Sequence, residues 1–377
     1  MIEEFELSRS VAGWYASIAP LGIAAVSLPV NSLVRRLGLK KLFTIGSLFL
    51  TVGIFSWFTT GYLPLLFFRT CFAVGTAVII PLATAITAEW FGNRELPFVN
   101  GIGMSFVTLG NGIAFLATVP LAQYLSLKAP IAIYAAFALV GAVTWIILGR
   151  NKQKSPEVSS AVPDQARETR SDLSLRQILT NKAALLMTLT VTVSWSLGNA
   201  IGSWLPDYYY NVFGIPLATA SSILAYAPVA STIASITGGL LSTRLGRRKP
   251  FLIASGFFTA LFALCAVLFN YPAVIYASVF MFGISGGICI SSLFTVPMEI
   301  PGMSVNSGVI VIAMMQVGGN LGNFISPLVV GALVDATGSY LPGFLTFIIL
   351  SLGMVVAGIL LPETGPKGGH QTQQTAG

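Results

Sequence analysis

Long apolar segments, separated by short polar stretches, make up most of this chain of 377 residues. Each segment holds about 20 or more mainly apolar residues, the length that a helix needs to cross the hydrocarbon core of a bilayer. Strands of a membrane barrel would show short stretches of alternating polarity instead. The pattern therefore predicts an all-α membrane protein with eleven spanning helices, at 11–34, 41–61, 64–90, 96–121, 129–149, 183–205, 217–242, 250–269, 272–297, 304–334 and 340–361.

One long polar stretch, 150–182, separates five of these segments from the other six. It is rich in Ser, Pro, Lys, Arg and Glu, which is typical of a linker. Its last part, 173–179, has the amphipathic spacing of a helix that lies along a membrane surface. We predict two helical halves, 1–149 and 183–362, joined by a cytoplasmic linker and followed by a disordered cytoplasmic tail at 363–377.

Composition narrows the class of protein. The chain is 55% hydrophobic and 9% charged, whereas soluble domains carry roughly 25% charged residues. The net charge of +7 comes from basic residues between the apolar segments, which favours membrane topology over nucleic-acid binding. Three cysteines lie in separate apolar segments and the only histidine is His370. We therefore expect no disulfide, metal site or cofactor, and no enzyme activity.

Basic residues lie almost entirely on one side of the predicted topology. Seventeen Lys and Arg residues fall in one set of loops, and only Arg9 and Lys128 fall in the other. Positive residues favour the cytoplasmic side. We predict that the basic loops and the C-terminus are cytoplasmic, in the inner (plasma) membrane.

The two halves share an internal repeat. Several residues recur in the same order 208 or 209 positions later, which indicates two copies of one unit; the pairs are Pro20 and Pro228, Arg36 and Arg244, Gly38 and Gly246, Gly75 and Gly283, and Gly110-Asn111 and Gly319-Asn320. Subtracting 208 from 183–205 places the partner of that helix upstream of Met1. We expect a first helix that this sequence lacks, through a late start codon or through its loss.

The turns at 35–41 and 243–249 resemble a signature of the major facilitator superfamily, Gly-x-Leu-Ala-Asp-Arg-x-Gly-Arg-Arg/Lys. The second copy matches at Gly239, Leu241, Arg244, Gly246, Arg247 and Arg248. The first copy keeps Leu33, Arg36, Gly38 and Lys40, but has Asn31, Arg35 and Leu39 where the family has Gly, Asp and a basic residue. The resemblance covers essentially the whole chain. It implies two pseudo-symmetric halves of a twelve-helix fold, alternating access, and turns that act as a conformational switch (Arg36, Gly38, Arg244, Gly246, Arg247).

Polar residues within the spans are the candidates for a substrate pathway, because polar groups are costly in lipid. Arg69 resembles the arginine of the family's fourth-helix motif, Arg-x-x-x-Gly-x-Gly, with Gly75 present and Ala73 in place of the other glycine. It is either an anion-binding or proton-coupling cation or an arginine that snorkels to the headgroups. The uncharged candidates, which could equally bond neighbouring helices, are Asn111, Trp195, Asn199, Gln316, Asn320 and Asn323.

Two further sets of residues accompany these candidates. Three acidic residues at helix ends are candidates for a gate or for coupling, with loop structure as the alternative: Glu89, Glu299 and Asp207. Three pairs of glycines four residues apart predict closely packed helices: Gly198 and Gly202, Gly283 and Gly287, and Gly318 and Gly322.

The function predicted from these features is secondary active transport of a small solute by alternating access. The chain has no Gly-x-x-x-x-Gly-Lys-Ser/Thr loop for a nucleotide. Arg69 and the uncharged polar lining favour a small organic or inorganic anion. A multidrug antiporter of the same fold is an alternative, and a non-transporting sensor or truncated remnant is another. The expected partners are the small-molecule substrate, a coupling proton or second solute and the lipid bilayer, with no nucleic acid, for a monomer.

Overall fold

The computed structural model describes residues 2–27, 30–91, 96–150, 175–299 and 305–364. Throughout these ranges the regular elements are helices. The first seven are α1 (Ile2–Phe5), α2 (Arg9–Ser27), α3 (Val30–Leu37), α4 (Leu39–Thr51), α5 (Tyr62–Trp90), α6 (Leu96–Tyr124) and α7 (Ala129–Leu148), and a 3₁₀ helix, Val52–Phe58, continues α4. The others are α8 (Leu175–Leu179), α9 (Lys182–Phe213), α10 (Leu217–Leu224), α11 (Tyr226–Leu245), α12 (Lys249–Leu268), α13 (Pro272–Glu299), α14 (Val305–Thr337), α15 (Leu341–Ser351) and α16 (Gly353–Leu360).

Ten stretches of the described helices are long and apolar enough to cross a membrane. They match ten of the eleven predicted segments and confirm the all-α membrane fold: Leu39–Phe58, Tyr62–Thr87, Phe106–Tyr124, Ala129–Leu148, Lys182–Phe213, Leu217–Ser242, Lys249–Leu268, Pro272–Pro297, Ile310–Thr337 and Leu341–Leu360. The predicted first segment, 11–34, is not among them. It comprises α2 and α3, and the two residues between these helices lie outside the described ranges, as do most of the predicted linker and tail.

Helix boundaries follow the predicted repeat. Shifted by 208 residues, the first residue of α2, Arg9, falls on Leu217, where α10 begins. Leu37, which ends α3, falls on Leu245, which ends α11. Gly38 and Gly246 follow these two ends with φ of 78° and 64°, a backbone region that glycine occupies readily. The two halves therefore share one order of helices and turns.

The largest difference from the predicted boundaries is at the end of α9, which continues beyond 205 to Phe213. The side chain of Asn181 caps its start by accepting hydrogen bonds from the backbone N–H groups of Ala183 and Ala184. Gly214, with φ of 69°, ends the helix in the left-handed region. The added turns carry Asp207 and a run of aromatic residues, which lower the apolarity but do not interrupt the helix.

The chain divides into two compact units. Unit 1 comprises Met1–Val107 and Ala117–Thr169, and unit 2 comprises Thr108–Leu116 and Arg170–Gly377. The stretch Thr108–Leu116 is the middle of α6, and it packs with unit 2. The hydroxyl of Ser221 on α10 donates to the carbonyl of Phe115 at 2.6 Å, which fixes this stretch to α10.

Close packing through glycine occurs at two of the three predicted pairs, both in unit 2. A Cβ atom at Gly283 or Gly287 would lie 2.3 Å from a backbone oxygen of α11. A Cβ atom at Gly318 or Gly322 would lie 2.5 or 2.4 Å from a side-chain oxygen of α9. These pairs therefore let α13 approach α11, and α14 approach α9, more closely than any larger residue would allow. The third pair, Gly198 and Gly202, does not approach another helix in this way.

Candidate functional site

Arg69, on α5 of unit 1, lies among aromatic rings. Its guanidinium carbon is 5.4 Å from the centre of the Tyr15 ring and 5.1 Å from that of Phe72, within range of a cation–π interaction. The hydroxyl of Tyr62 donates to the carbonyl of Val11 at 2.7 Å and ties α5 to α2 beside this cluster. These contacts hold the cation in place without neutralising it.

The hydrogen-bonding capacity of Arg69 is only partly used. Its Nε atom is buried and has no hydrogen-bond partner among the described residues. The described residues also place no carboxylate in an ion pair with it. A buried donor without a partner costs about 1–3 kcal/mol. A half-buried cation with an open donor is suited to an anionic ligand.

Unit 2 contains a cavity of about 290 Å³. Its lining comes from six helices, and the described residues that form it include no charged side chain. Aromatic rings of four residues face it together with aliphatic and glycine positions, and its polar side-chain groups are three hydroxyls, one thiol and the indole N–H group of Trp195. The lining residues are Phe115, Val191, Ser194, Trp195, Gly198, Ile201, Gly202, Leu224, Ala227, Pro228, Ser231, Thr259, Val279, Phe282, Gly283, Gly286, Cys289, Ile290, Leu293 and Phe294.

Small residues open this cavity. A Cβ atom at Gly198 on α9 or at Gly286 on α13 would have no heavy atom within 4 Å. A Cβ atom at Gly202 would be 3.8 Å from the ring of Phe115. The prediction that Gly198 and Gly202 bring two helices together is therefore wrong, because this pair borders open space.

A break between two helices forms another part of the wall. Proline has no N–H group and clashes with the carbonyl four residues earlier, and Pro228 therefore interrupts the helix near Leu224. The chain turns at Ala225, whose N–H group donates to the carbonyl of Ser222 at 3.1 Å. Both Leu224 and Pro228 line the cavity, and the break thus shapes the surface that a ligand would meet.

Thr259 supplies an open polar group at the cavity. Its side chain is 6% exposed, and its Oγ1 atom has no hydrogen-bond partner among the described residues. Nearby groups are used differently: the Ser255 hydroxyl donates to the carbonyl of Ser285, and the Cys289 thiol donates to that of Gly286. Thr259, which lines the cavity, therefore carries a buried hydroxyl whose hydrogen-bonding capacity is unused among the described residues.

Trp195 is the predicted pathway residue that lines the cavity. Its ring packs against Gly319 of α14, where a Cβ atom would come within 2.4 Å of Cε3. Only glycine leaves room for the indole in this position. Gly319 thus sets the orientation of this aromatic wall.

The predicted amide residues lie outside the described lining of the cavity. The Asn199 amide donates to the carbonyl of Asn323 at 2.6 Å, and it therefore bonds α9 to α14. The Asn320 amide donates to the carbonyl of Gln316 at 2.9 Å within α14. Asn111 and Gln316 have exposed side chains. The alternative role, hydrogen bonding within or between helices, accounts for Asn199 and Asn320.

Asp207 belongs to a hydrogen-bonded cluster near the end of α9. The hydroxyl of Tyr340 donates to its carboxylate, and the amide of Asn211 donates to it at 2.9 Å. The hydroxyls of Tyr208 and Tyr209 donate to backbone carbonyls of α12 at 2.7 and 2.8 Å. These bonds tie α9 to the start of α15 and the end of α12.

The basic turn between α11 and α12 is held by Arg248. Its guanidinium donates to both carboxylate oxygens of Glu299 at 3.2 and 3.3 Å, and to the hydroxyl of Ser242 at 2.9 Å. The backbone N–H groups of Arg248 and Lys249 donate to one oxygen of Glu363 at 2.7 and 3.3 Å. The turn is thereby fixed to the end of α13 and to Glu363, three residues after the end of α16. We call this group, Ser242, Arg248, Lys249, Glu299 and Glu363, the basic-end cluster.

The arginines that the sequence singled out in this turn lie at its surface. Arg244 and Arg247 are exposed, whereas Arg248 is 8% exposed. The sequence pattern identifies Glu299 as a gate candidate and Arg248 as part of the turn signature, but it does not single out Glu363. In unit 1 the matching turn has an exposed Arg36, and Glu89 lies one residue before the end of α5.

Gly246 offers a direct test of the turn. Its φ of 64° costs a non-glycine residue about 1–3 kcal/mol, and a β-branched side chain is the least tolerant. We expect Gly246→Val to lower the turnover rate several-fold with little change in substrate affinity. Rate and affinity would be measured separately against Gly141→Val, a substitution into open space on α7. Equal turnover in both variants would contradict a conformational role for this turn.

Comparisons with known proteins place these features in a family. The Major Facilitator Superfamily profile matches residues 1–311. A probable sulfoacetate transporter of Cupriavidus necator is 26% identical over 96% of this chain and 87% of its own length. A probable nitrate/nitrite antiporter of Thermus thermophilus is 28% identical over 66% and 56% of the two chains. A crystal structure of a bacterial homologue of the lysosomal transporter Spinster shares the fold, with a TM-score of 0.72 and 15% identity over 95% of this chain and 89% of that one.

Proposed function

Because this chain belongs to the major facilitator superfamily, we propose that it carries a small anion across the membrane by alternating access. The observation that carries the proposal is Arg69, a half-buried cation with an unused donor and no carboxylate partner among the described residues. Intramembrane charges are expensive, and such residues usually mark a substrate or ion pathway. Aromatic contacts on two sides stabilise the guanidinium when no anion is bound.

The names of relatives agree with an anionic substrate. The probable sulfoacetate transporter, the probable nitrate/nitrite antiporter and a nitrite extrusion protein of Bacillus subtilis are named for anions. These proteins differ in whether the anion is organic or inorganic. The names therefore support a negatively charged solute, but they do not identify which one it is.

In this proposal the remaining site residues divide by role. The cavity of unit 2, with Trp195 in its wall, contributes to the substrate pathway, whereas the basic-end cluster sets the balance between conformations. Transport would be driven by the gradient of a proton or of a second solute. The protein works as a monomer in the inner (plasma) membrane.

Binding by the purified protein tests the substrate class. A ligand that binds the folded state alone raises its melting temperature, by an amount that grows with the logarithm of its concentration over Kd. We expect small anions to stabilise the protein, and matched uncharged compounds to have no effect. Stabilisation by lipophilic cations alone would favour the multidrug antiporter, and no stabilisation by any solute would favour a sensor.

Orientation follows from the distribution of basic residues. Seventeen Lys and Arg residues in one set of loops against two in the other predict that the basic loops are cytoplasmic. A reporter enzyme fused at Lys154 should be active in the cytoplasm, and one fused at Lys128 should be active outside it. The reverse pattern would overturn the proposed orientation.

A further inference from the structure

We propose that the cavity of unit 2 accommodates the uncharged part of the transported solute, and that the solute is therefore a short organic anion. The proposal rests on the function proposed above, because it assumes that an anion is carried. It adds a class of substrate and names the residues that select it. The charged group of the solute stays outside this cavity.

Charge supports an organic solute. The described lining contains no cationic side chain, and a small oxyanion placed in it would lose its hydration without an ionic partner, which is strongly unfavourable. An uncharged carbon group gains free energy from the same apolar wall. The cavity therefore discriminates against nitrate-like anions and favours solutes with a carbon skeleton.

Hydrogen bonding sets the polarity of that uncharged part. Thr259 is 6% exposed, lines the cavity and has an Oγ1 atom without a partner among the described residues. A hydroxyl or carbonyl group of a solute would satisfy it. The favoured solute thus carries at least one uncharged polar group besides its charge.

The size of the cavity sets the length of the solute. Its volume of about 290 Å³ lies at the lower end of the ~300–1,000 Å³ that is typical of ligand pockets. The openings at Gly198 and Gly286 provide part of this volume, because neither glycine faces a heavy atom within 4 Å. Filling either opening should exclude longer solutes before shorter ones.

The hydroxyl is tested by Thr259→Val, which preserves the shape of the side chain and removes its polar atom. We expect the apparent affinity for a hydroxylated carboxylate such as lactate to fall about 3- to 10-fold, the effect of one lost hydrogen bond. Affinity for propionate, which lacks the hydroxyl, should change by less than about twofold. Thr190→Val is the matched control, since Thr190 is equally buried on α9 but bonds the carbonyl of Leu186 within its own helix.

Cavity volume is tested by Gly198→Val and Gly286→Val, with Gly141→Val as the control in open space on unit 1. Competition by carboxylates of two to five carbons would be measured for each variant. We expect the two cavity variants to lose the longer carboxylates at least about tenfold more than acetate, and the control to keep the wild-type ranking.

The outcomes separate this inference from the proposed function. Selective loss of the longer carboxylates in the two glycine variants, together with loss of the lactate preference in Thr259→Val, would support both. Transport of nitrate as efficient as that of the best carboxylate, with selectivity unchanged in all cavity variants, would overturn the inference and leave anion transport standing. A wild-type protein that moves neither nitrate nor any carboxylate would overturn the proposed function and this inference with it.

Discussion

Arg69→Ala is expected to abolish anion transport while the protein still folds. Truncating one partner of a desolvated charge pair costs about 2 kcal/mol or more, which corresponds to a loss of roughly 30-fold or more in affinity. Folding should survive, because the described residues place no carboxylate beside Arg69 that the substitution would leave unpaired. Initial uptake rates and binding affinity, measured on the purified variant, give the result.

Arg69→Lys should retain part of the activity. Lysine keeps the charge but lacks the planar group that places several donors around one anion. Arg176→Ala is the control for general loss of positive charge, since Arg176 is exposed on α8. Normal anion transport by both Arg69 variants would show an arginine that snorkels to the headgroups, and Arg69 would have to be dropped as the residue that binds the anion.

Arg248→Met is expected to have the second-largest effect, on stability and on the balance between conformations. It leaves the Glu299 carboxylate without its cation and removes the donor that Arg248 supplies to the hydroxyl of Ser242. Breaking a buried ion pair costs about 3–5 kcal/mol, and because the side chain of Glu299 is 26% exposed we expect roughly 2–3 kcal/mol here. The melting temperature and the turnover rate should both fall.

A double-mutant cycle identifies the pair as the cause. Arg248→Met, Glu299→Gln and the double variant should show a coupling energy of about 1 kcal/mol or more, the range measured for residues in one network. Arg247→Ala, at an exposed position in the same turn, should change stability by less than about 0.5 kcal/mol. Additive effects of the two substitutions would contradict a role for the basic-end cluster as a unit.

Most of the fold could be predicted from sequence because the membrane constrains it strongly. Backbone groups in lipid must be bonded within the chain, so each long apolar segment has to be helical. The repeat then relates α2 and α3 to α10 and α11 through residue spacing alone. The extension of α9 to Phe213 was missed, because hydropathy falls at Asp207 while helical hydrogen bonding continues.

The site was less predictable, since it depends on which faces of the helices meet. Asn199 is a polar residue within a span, as a substrate contact would be, but its amide donates to the carbonyl of Asn323. Thr259 is an uncharged residue in an apolar span. It is a candidate because its hydroxyl has no hydrogen-bond partner in the described structure. Similarly, no pattern of residue types distinguishes the buried Arg248 from the exposed Arg244 and Arg247.

Solute counterflow in proteoliposomes tests the central claim most directly. Vesicles that contain the purified protein and a high internal concentration of unlabelled anion would be diluted into a trace of the same labelled anion, without ATP, an imposed proton gradient or a membrane potential. The account predicts transient accumulation of label by the wild-type protein for at least one small anion, and none by Arg69→Ala. Accumulation by both proteins would contradict the role of Arg69, and the absence of counterflow for every small anion would contradict anion transport itself.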